Sequence, residues 1–590
     1  MNKKQIISFI SVLLVIFSLS CTKEKKPDKI TVYLVETSDI HGAIFDYDFI
    51  NDKKSNTSLS KISSYIKDLR ERNSNVVLLD NGDILQGQPV VYYSNYENVD
   101  EKHICSQVMN HLDYDAATIG NHDIEAGHDV YDKLVQEFDF PWLAANAINT
   151  STGKPYFKPY TMINKKGVKI AVLGLITPGI PKWLPEELWE GIEFTDMVES
   201  AKIWVPKIME KEKPDILIGL FHSGYDYTYG DVDYDTPKNE NASFIVAEKV
   251  PGFDVIFVGH DHRTWNEKIE NVDGDEVLIM GPKGYANQFC VVKADMVLNE
   301  NDEYEKSFQT EIIDVYDLET DQEFTQKFEN QLNEVKNYVS QEVGTFEKSV
   351  DAHDAIYGPS EFVDLINTIQ LDISDAEISF AAPLSFNATI EKGPVYVRDM
   401  FKLYRFENFL YTMNLSGKEI DGYLEYSFAS WFNTMESAND HLLLFKSDEN
   451  GKPLYSEQYQ SYSLKNNYYN FDIAAGIKYT VDISKPEGDK VMIHSLTTGE
   501  KFYTDSIYKV ALNSYRGNGG GGHLVKGAGI PEEELSTRRL SSTDKDIRFY
   551  MMKWIEDQQT VYPESRNEWT VYPEDWWTKA KKNDYKLLNR

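Results

Sequence analysis

The sequence predicts a layered α/β (α+β) first domain followed by a second α/β domain. Two observations carry this prediction. Short apolar runs rich in branched residues alternate with amphipathic stretches through the first 300 residues. Five of those runs end within about four residues of a polar motif, as expected where strand ends converge on a ligand site in a layered sheet.

The chain opens with a targeting pattern. Lys3-Lys4 precede an apolar run at 6–17 and then Ser18-Leu19-Ser20-Cys21. A basic start, a short apolar stretch and small residues read as a secretory signal over residues 1–20, too short to span a bilayer comfortably. Cys21 after a small residue resembles a bacterial lipobox, although Ser18 stands where an aliphatic residue is usual. Lipidation of Cys21 would leave 21–29 as a charged tether and a membrane contact made only through lipid. The expected location is then the bacterial cell envelope, as a periplasmic or outer-surface lipoprotein. The competing reading is a plain secreted protein.

Runs at 30–35, 76–79, 116–119, 170–176, 216–221 and 255–258 read as buried strands, and stretches at 59–70 and 130–138 as helices, within a domain at 30–317. Residues 318–343 are charged, with Phe324, Phe328, Leu332 and Val335 at helical spacing. They read as a connecting helix or as the last helix of the first domain. A second domain is expected over 344–542, with a helix at 362–371 and strands at 377–381 and 410–415. Its glycine run, 517–522, matches no nucleotide-loop pattern and is expected to be a flexible or tightly turned loop. Residues 543–590 hold an aromatic helix at 547–555 and a duplicated Thr-Val-Tyr-Pro-Glu at 560–564 and 570–574, expected to pack as an irregular extension.

Composition bounds the function. Hydrophobic residues make up 41% and aromatic residues 13% of the 590 residues, enough for packed cores. A net charge of −35 repels nucleic-acid polymers and anionic membranes. A phosphate-bearing substrate therefore needs a locally positive site, which metal ions can supply. Beyond Cys21 only Cys105 and Cys290 remain; no disulfide is indicated, and no Cys–Cys zinc spacing exists.

The chemistry lies in Asp39-Ile40-His41, Gly82-Asp83-Ile84-Leu85-Gln86-Gly87, Gly120-Asn121-His122-Asp123, His222-Ser223-Gly224 and Gly259-His260-Asp261-His262, which hold five of the twelve histidines. Asp39 and His41 can bend toward one ion, and Asp83 between glycines can approach closely and bridge two. Asn121, His222, His260 and His262 add neutral oxygen and nitrogen donors. Such a mixed set without thiolate suits two divalent ions, whether zinc, manganese, iron or cobalt. Two ions about 3.5–4 Å apart clamp a phosphoryl group and lower the pKa of a bridging water. His122 is left to protonate a leaving oxygen, with Glu125 to orient it.

This order of motifs resembles the calcineurin-like metallophosphoesterases, specifically the two-domain bacterial 5′-nucleotidase and 2′,3′-cyclic-nucleotide phosphodiesterase family. The resemblance implies a four-layer sandwich and a nucleotide-binding C-terminal domain. It places one metal on Asp39, His41, Asp83 and His262 and a second on Asp83, Asn121, His222 and His260. His122 takes the place of the catalytic histidine, its usual aspartate partner replaced by Glu125. Two rings that sandwich the base would be Phe406 and Tyr515. Where 5′-nucleotidases carry phosphate-facing arginines, this chain has 381–387 (Ala-Ala-Pro-Leu-Ser-Phe-Asn) and Gln370. That departure favours the cyclic phosphodiesterase and 3′-nucleotidase branch. The expected substrates are 2′,3′-cyclic nucleotides, 3′-nucleotides or both, cleaved by a metal-bridged hydroxide. The rivals are a 5′-nucleotidase or sugar-phosphate hydrolase, and a surface nucleotide-binding lipoprotein without turnover.

Overall fold

A computed structural model describes residues 26–588, apart from 231, 450 and 457–460. The expected lipidation at Cys21, with its signal segment, lies outside the described residues. Among the described residues no helix is long and apolar enough to cross a membrane.

The first half is a sandwich of two six-stranded sheets. In one, Lys29–Thr37 pairs antiparallel with Gln288–Leu298 and parallel with Val76–Asp80, which leads on to Ala116–Thr118 and Trp142–Leu143. In the other, Val168–Ile176, Ile216–His222, Val255–Val258 and Glu276–Gly281 run parallel. Val76–Asp80, Ile216–His222 and Val255–Val258 are buried at every position. That is the reason they read as continuous apolar runs rather than as alternation. Val32, Leu34, Val77 and Leu79 of one sheet meet Val172, Ile218, Leu220 and Phe257 of the other in a shared core. Helix Leu59–Arg72 covers one outer face with Ile62 and Ile66, and helix Met197–Lys211 covers the other with Ala201 and Val205. The result is the expected four layers.

Residues 318–343 form two helices rather than one, Gln322–Lys327 and Glu329–Val339. The break falls at Phe328, whose backbone leaves the helical region (φ −106°, ψ 17°). Phe324 and Phe328 turn into the core beside Phe45, and that burial outweighs helical continuity.

The second half is built on a five-stranded sheet ordered Ile473–Ala475, Ile378–Ala381, Ile507–Asn513, Phe409–Ser416 and Arg539–Asp546. Helices Glu361–Ser374 and Gly417–Trp431 pack beside it. Ser416 and Glu419 form a reciprocal capping box that fixes where the second of these begins.

The tail is more regular than expected. Each copy of the duplicated segment adds a strand to a different sheet: Thr560–Val561 beside Glu342–Phe346, and Trp569–Tyr572 beside Ile477–Asp482. The final helix, Glu574–Leu588, buries Asp584, which accepts from the amides of Leu442 and Leu443 and from His441. Cys105 and Cys290 are both buried and free.

Candidate metal centre

The polar motifs converge where the two sheets present their carboxyl ends. One sheet contributes Asp39, His41, Asp83 and Asn121, the other His222, His260 and His262. Ligand atoms of Asp39, His41, Asp83 and His262 lie within 4.8 Å of one another, as do those of Asp83, His222 and His260. Asn121 Oδ1 joins the second group, 3.1 Å from His222 Nε2 and 2.8 Å from His260 Nδ1.

Local sequence makes this convergence possible. Asp39, His41, Asp83, His260 and His262 all sit at φ between 48° and 73°, a left-handed conformation costing about 1–2 kcal/mol for most residues but best tolerated by Asp, Asn and His. The same residue types thus serve both the turn and the ligand sphere. Gly120 is required by close approach: a Cβ there would stand 2.2 Å from Asp83 Oδ1. A Cβ on Gly259 would likewise stand 2.2 Å from Ser38 Oγ and 2.8 Å from Asp39 Oδ2. Asp123 locks two loops together, accepting from the amides of Asp83, Ile84, Leu85 and Gly120 at 2.7–3.1 Å.

The outer hydrogen bonds set the imidazole tautomers. His41 Nδ1–H donates to the Gln86 carbonyl (3.0 Å), His222 Nδ1–H to the Asn81 carbonyl (2.6 Å) and His260 Nε2–H to Glu240 (2.9 Å). The inward nitrogens of His41 and His260 are therefore lone pairs; burial disfavours the charged His222 ring, but Asp83 outweighs it and raises the pKa to about 9, so that a metal ion there would replace a proton. His41 Nε2 faces His262 Nε2 at 3.1 Å, and His222 Nε2 faces Asp83 Oδ2 at 3.2 Å. Burial, reinforced by His262, pushes the His41 pKa down to about 3, so the ring is in its neutral, ligating form. Divalent ions would take the places of the protons that these groups otherwise share. The donor set fits two divalent ions.

His122 lies in the first turn of the short helix Asn121–Glu125. Its amide donates to Asp83 Oδ1 (2.8 Å) and its Nδ1 meets Glu125 Oε2 at 2.5 Å. Burial disfavours the charged ring, but Glu125 and then Asp83 outweigh it and raise the pKa to about 10. Cations shared by Asp83 would cancel that residue's part and leave Glu125 as the group favouring the proton. A cavity of about 440 Å³ opens between the two halves beside this pair, lined in part by Tyr96, Glu125, Glu407 and Phe409.

The expected base-stacking rings lie in the second half. Phe406 meets Tyr469 edge-on at 6.2 Å. Tyr515 lies under the Arg516 guanidinium at 5.3 Å and against Gly520, where a Cβ would come within 2.6 Å of its ring. Arg516 is buried and pairs with both oxygens of Asp472 while donating to the Tyr469 carbonyl. It positions the two tyrosines and has no reach to spare for a ligand. The glycine run is thus a tight wrap around Arg516. Gln370 points inward as well, donating to Ser379 Oγ and the Phe380 carbonyl.

Four residues near the centre carried no local sequence signal for a role there. Glu240 holds His260, Trp183 stacks on His260 (5.5 Å, 25°), and Tyr285 stacks on His41 (4.7 Å, 24°). Arg405 reaches Tyr285 from the second half.

Comparison with known proteins accords with this architecture. Residues 33–264 match the calcineurin-like phosphoesterase family model, and residues 342–526 match the 5′-nucleotidase C-terminal domain model. The chain is 27% identical, over 93% of its length, to the trifunctional nucleotide phosphoesterase protein YfkN of Bacillus subtilis, of which it spans 39%. It is 26% identical, over 91% of its length, to a 2′,3′-cyclic-nucleotide 2′-phosphodiesterase/3′-nucleotidase of Yersinia enterocolitica, of which it spans 87%. The fold is shared with a 5′-nucleotidase precursor from Thermus thermophilus: TM-score 0.61, 19% identity, 92% of this chain and 100% of that one.

Proposed function

Because the chain consists of a calcineurin-like phosphoesterase domain followed by a 5′-nucleotidase C-terminal domain, we propose that it is a two-metal hydrolase of nucleotide phosphoesters, acting on 2′,3′-cyclic nucleotides, 3′-nucleotides or both. The observation that carries this reading is the convergence of seven ligand side chains next to a His122–Glu125 pair whose Glu125 lines the interdomain cavity.

Asp39, His41, Asp83 and His262 would hold one ion, and Asp83, Asn121, His222 and His260 the other. Ions bound there would polarise phosphoryl oxygens and lower the pKa of a water. The chain's own groups do the rest. Glu240 and the carbonyls of Gln86 and Asn81 fix the ligating rings. Glu125 orients His122 through Nδ1, so the opposite nitrogen is free to give a proton to the departing ribose oxygen. Phe406 and Tyr515 would stack on the base, a contact worth about 1–3 kcal/mol and tolerant of base identity.

The choice of phosphoester rests on the second half. Gln370 is engaged inward and the 381–387 segment has no arginine, which disfavours 5′-polyphosphates. The relatives with high mutual coverage carry the cyclic-phosphodiesterase/3′-nucleotidase name. We further propose export and anchoring through Cys21, so that hydrolysis takes place outside the cytoplasm. Initial rates on 2′,3′-cyclic AMP, 3′-AMP and 5′-AMP test the substrate assignment, and a preference for 5′-AMP would replace it with a 5′-nucleotidase.

A further inference from the structure

Arg405 lies in the connection between helix Val397–Leu403 and strand Phe409–Ser416. Arg548 clamps that connection. Its guanidinium donates to the Tyr404 carbonyl (3.0 Å), the Arg405 carbonyl (2.8 Å) and Glu407 (3.0 Å). The Arg405 backbone is therefore fixed, and only its side chain is free to choose a partner. That side chain crosses to the first half, where Nη2 donates to Tyr285 OH at 2.7 Å.

Tyr285 belongs to the wall of the first metal site. Its ring stacks on His41 and meets His262 edge-on at 5.5 Å, and its amide donates to the Asp39 carbonyl. A guanidinium bonded to its hydroxyl thus stands at the rim of the centre. Charge makes the position unusual. In this half of a strongly acidic chain, Arg398, Arg516, Arg538, Arg539, Arg548 and Arg566 each have a carboxylate partner. Arg405, half-buried, has no carboxylate within 4.0 Å among the described residues. A guanidinium has five donors in a planar fork suited to carboxylate or phosphate, and the two tyrosine hydroxyls beside it, of Tyr285 and Tyr468, do not use them all.

We propose that Arg405 is a phosphate-binding residue that takes non-bridging oxygens of the substrate when its phosphorus lies at the metal centre. The cation missing from 370 and 381–387 is thereby supplied from another part of the second domain. Coulomb attraction scales with the charge on the phosphate, so the contact favours a dianionic 3′-monoester over a monoanionic cyclic diester. The proposal rests on the phosphoester reading above and deepens it.

The test is calorimetric titration of inorganic phosphate into the manganese-loaded full chain, for wild type, Arg405→Gln, Arg405→Lys and Tyr285→Phe. Loss of a charge-assisted bond to phosphate should raise Kd about tenfold or more in Arg405→Gln. Arg405→Lys should recover part of the loss, and Tyr285→Phe should stay within about twofold of wild type by the same reasoning. In the rate assay, Arg405→Gln should raise KM for 3′-AMP more than for 2′,3′-cyclic AMP. An unchanged phosphate Kd in Arg405→Gln, or no phosphate binding by wild type, overturns the proposal. So does an equal loss in Tyr285→Phe, which would make Arg405 an interdomain tie. A wild type that binds phosphate through Arg405 but cleaves no nucleotide would refute the nucleotide reading and leave the phosphate site standing.

Discussion

His122 Nδ1 and Glu125 Oε2 meet at 2.5 Å across one turn of the helix Asn121–Glu125. The contact engages Nδ1 and leaves the other ring nitrogen unengaged by Glu125, with the ring centroid 5.4 Å from that of His41. A general acid held this way contributes about 10²–10⁴-fold in rate. His122→Ala should lower kcat by that factor with bound metal unchanged. Glu125→Gln should keep the geometry and give a smaller loss. Full kcat in His122→Ala would remove the residue from the reaction. The readouts are steady-state kinetics and metal analysis of the same preparations.

Removal of metal should cost stability as well as activity. His41 Nε2 and His262 Nε2 face each other at 3.1 Å, and His222 Nε2 faces Asp83 at 3.2 Å, so that bound ions would tie together segments from both sheets. Ligand present at a hundredfold excess over Kd stabilises by about 2.7 kcal/mol. Dialysis against a chelator should therefore lower Tm and abolish turnover, and added divalent ion should restore both. An unchanged Tm would mean that the cluster holds no ion.

Asp123 should matter for the fold before it matters for the reaction. Four backbone amides from two loops share its carboxylate, and each buried amide left unpaired costs about 1–3 kcal/mol. Asp123→Ala should lower the urea midpoint and weaken metal binding, since Asp83 loses its anchor. Denaturation curves and metal titrations would show both effects, and a wild-type midpoint would refute the assignment.

His103 and His523 make the fold acid-sensitive. Burial lowers the pKa of each to about 3. The neutral form of His103 also holds local structure together, because Nδ1 accepts from the Cys105 amide at a helix start and Nε2–H donates to Asn95. Each ring binds a proton more readily when unfolded. Its contribution is therefore complete above about pH 6.5 and is lost as pH falls toward 3. Over that window each should add about 1.4 kcal/mol per pH unit to the slope of unfolding free energy. His103→Asn, which keeps a capping oxygen, should flatten the slope. An unchanged slope would show that His103 is not the group responsible.

These positions also show what the sequence can and cannot reveal. The parallel strands were legible because burial on both faces writes an apolar run, and Asp39, Asp83, Asn121, His222 and His260 follow such runs directly. Tyr285, Trp183 and Glu240 were not, because each meets its histidine through the fold: Glu240 lies in a loop of its own, 20 residues before His260. The split of 318–343 was hidden because Phe324 and Phe328 keep helical spacing and turn inward only in three dimensions. The tail looked irregular because Thr560–Val561 and Trp569–Tyr572 are too short to signal strands alone, and become strands by completing sheets built elsewhere.

The most direct test of the central claim is the ratio of kcat/KM on 2′,3′-cyclic AMP and 3′-AMP to that on 5′-AMP, measured with the manganese-loaded chain. The departure of 370 and 381–387 from the 5′-nucleotidase pattern, with the high mutual coverage of the cyclic-phosphodiesterase/3′-nucleotidase relatives, predicts that the first two exceed the third by about tenfold, or about 1.4 kcal/mol of transition-state stabilisation. A higher value on 5′-AMP would contradict it.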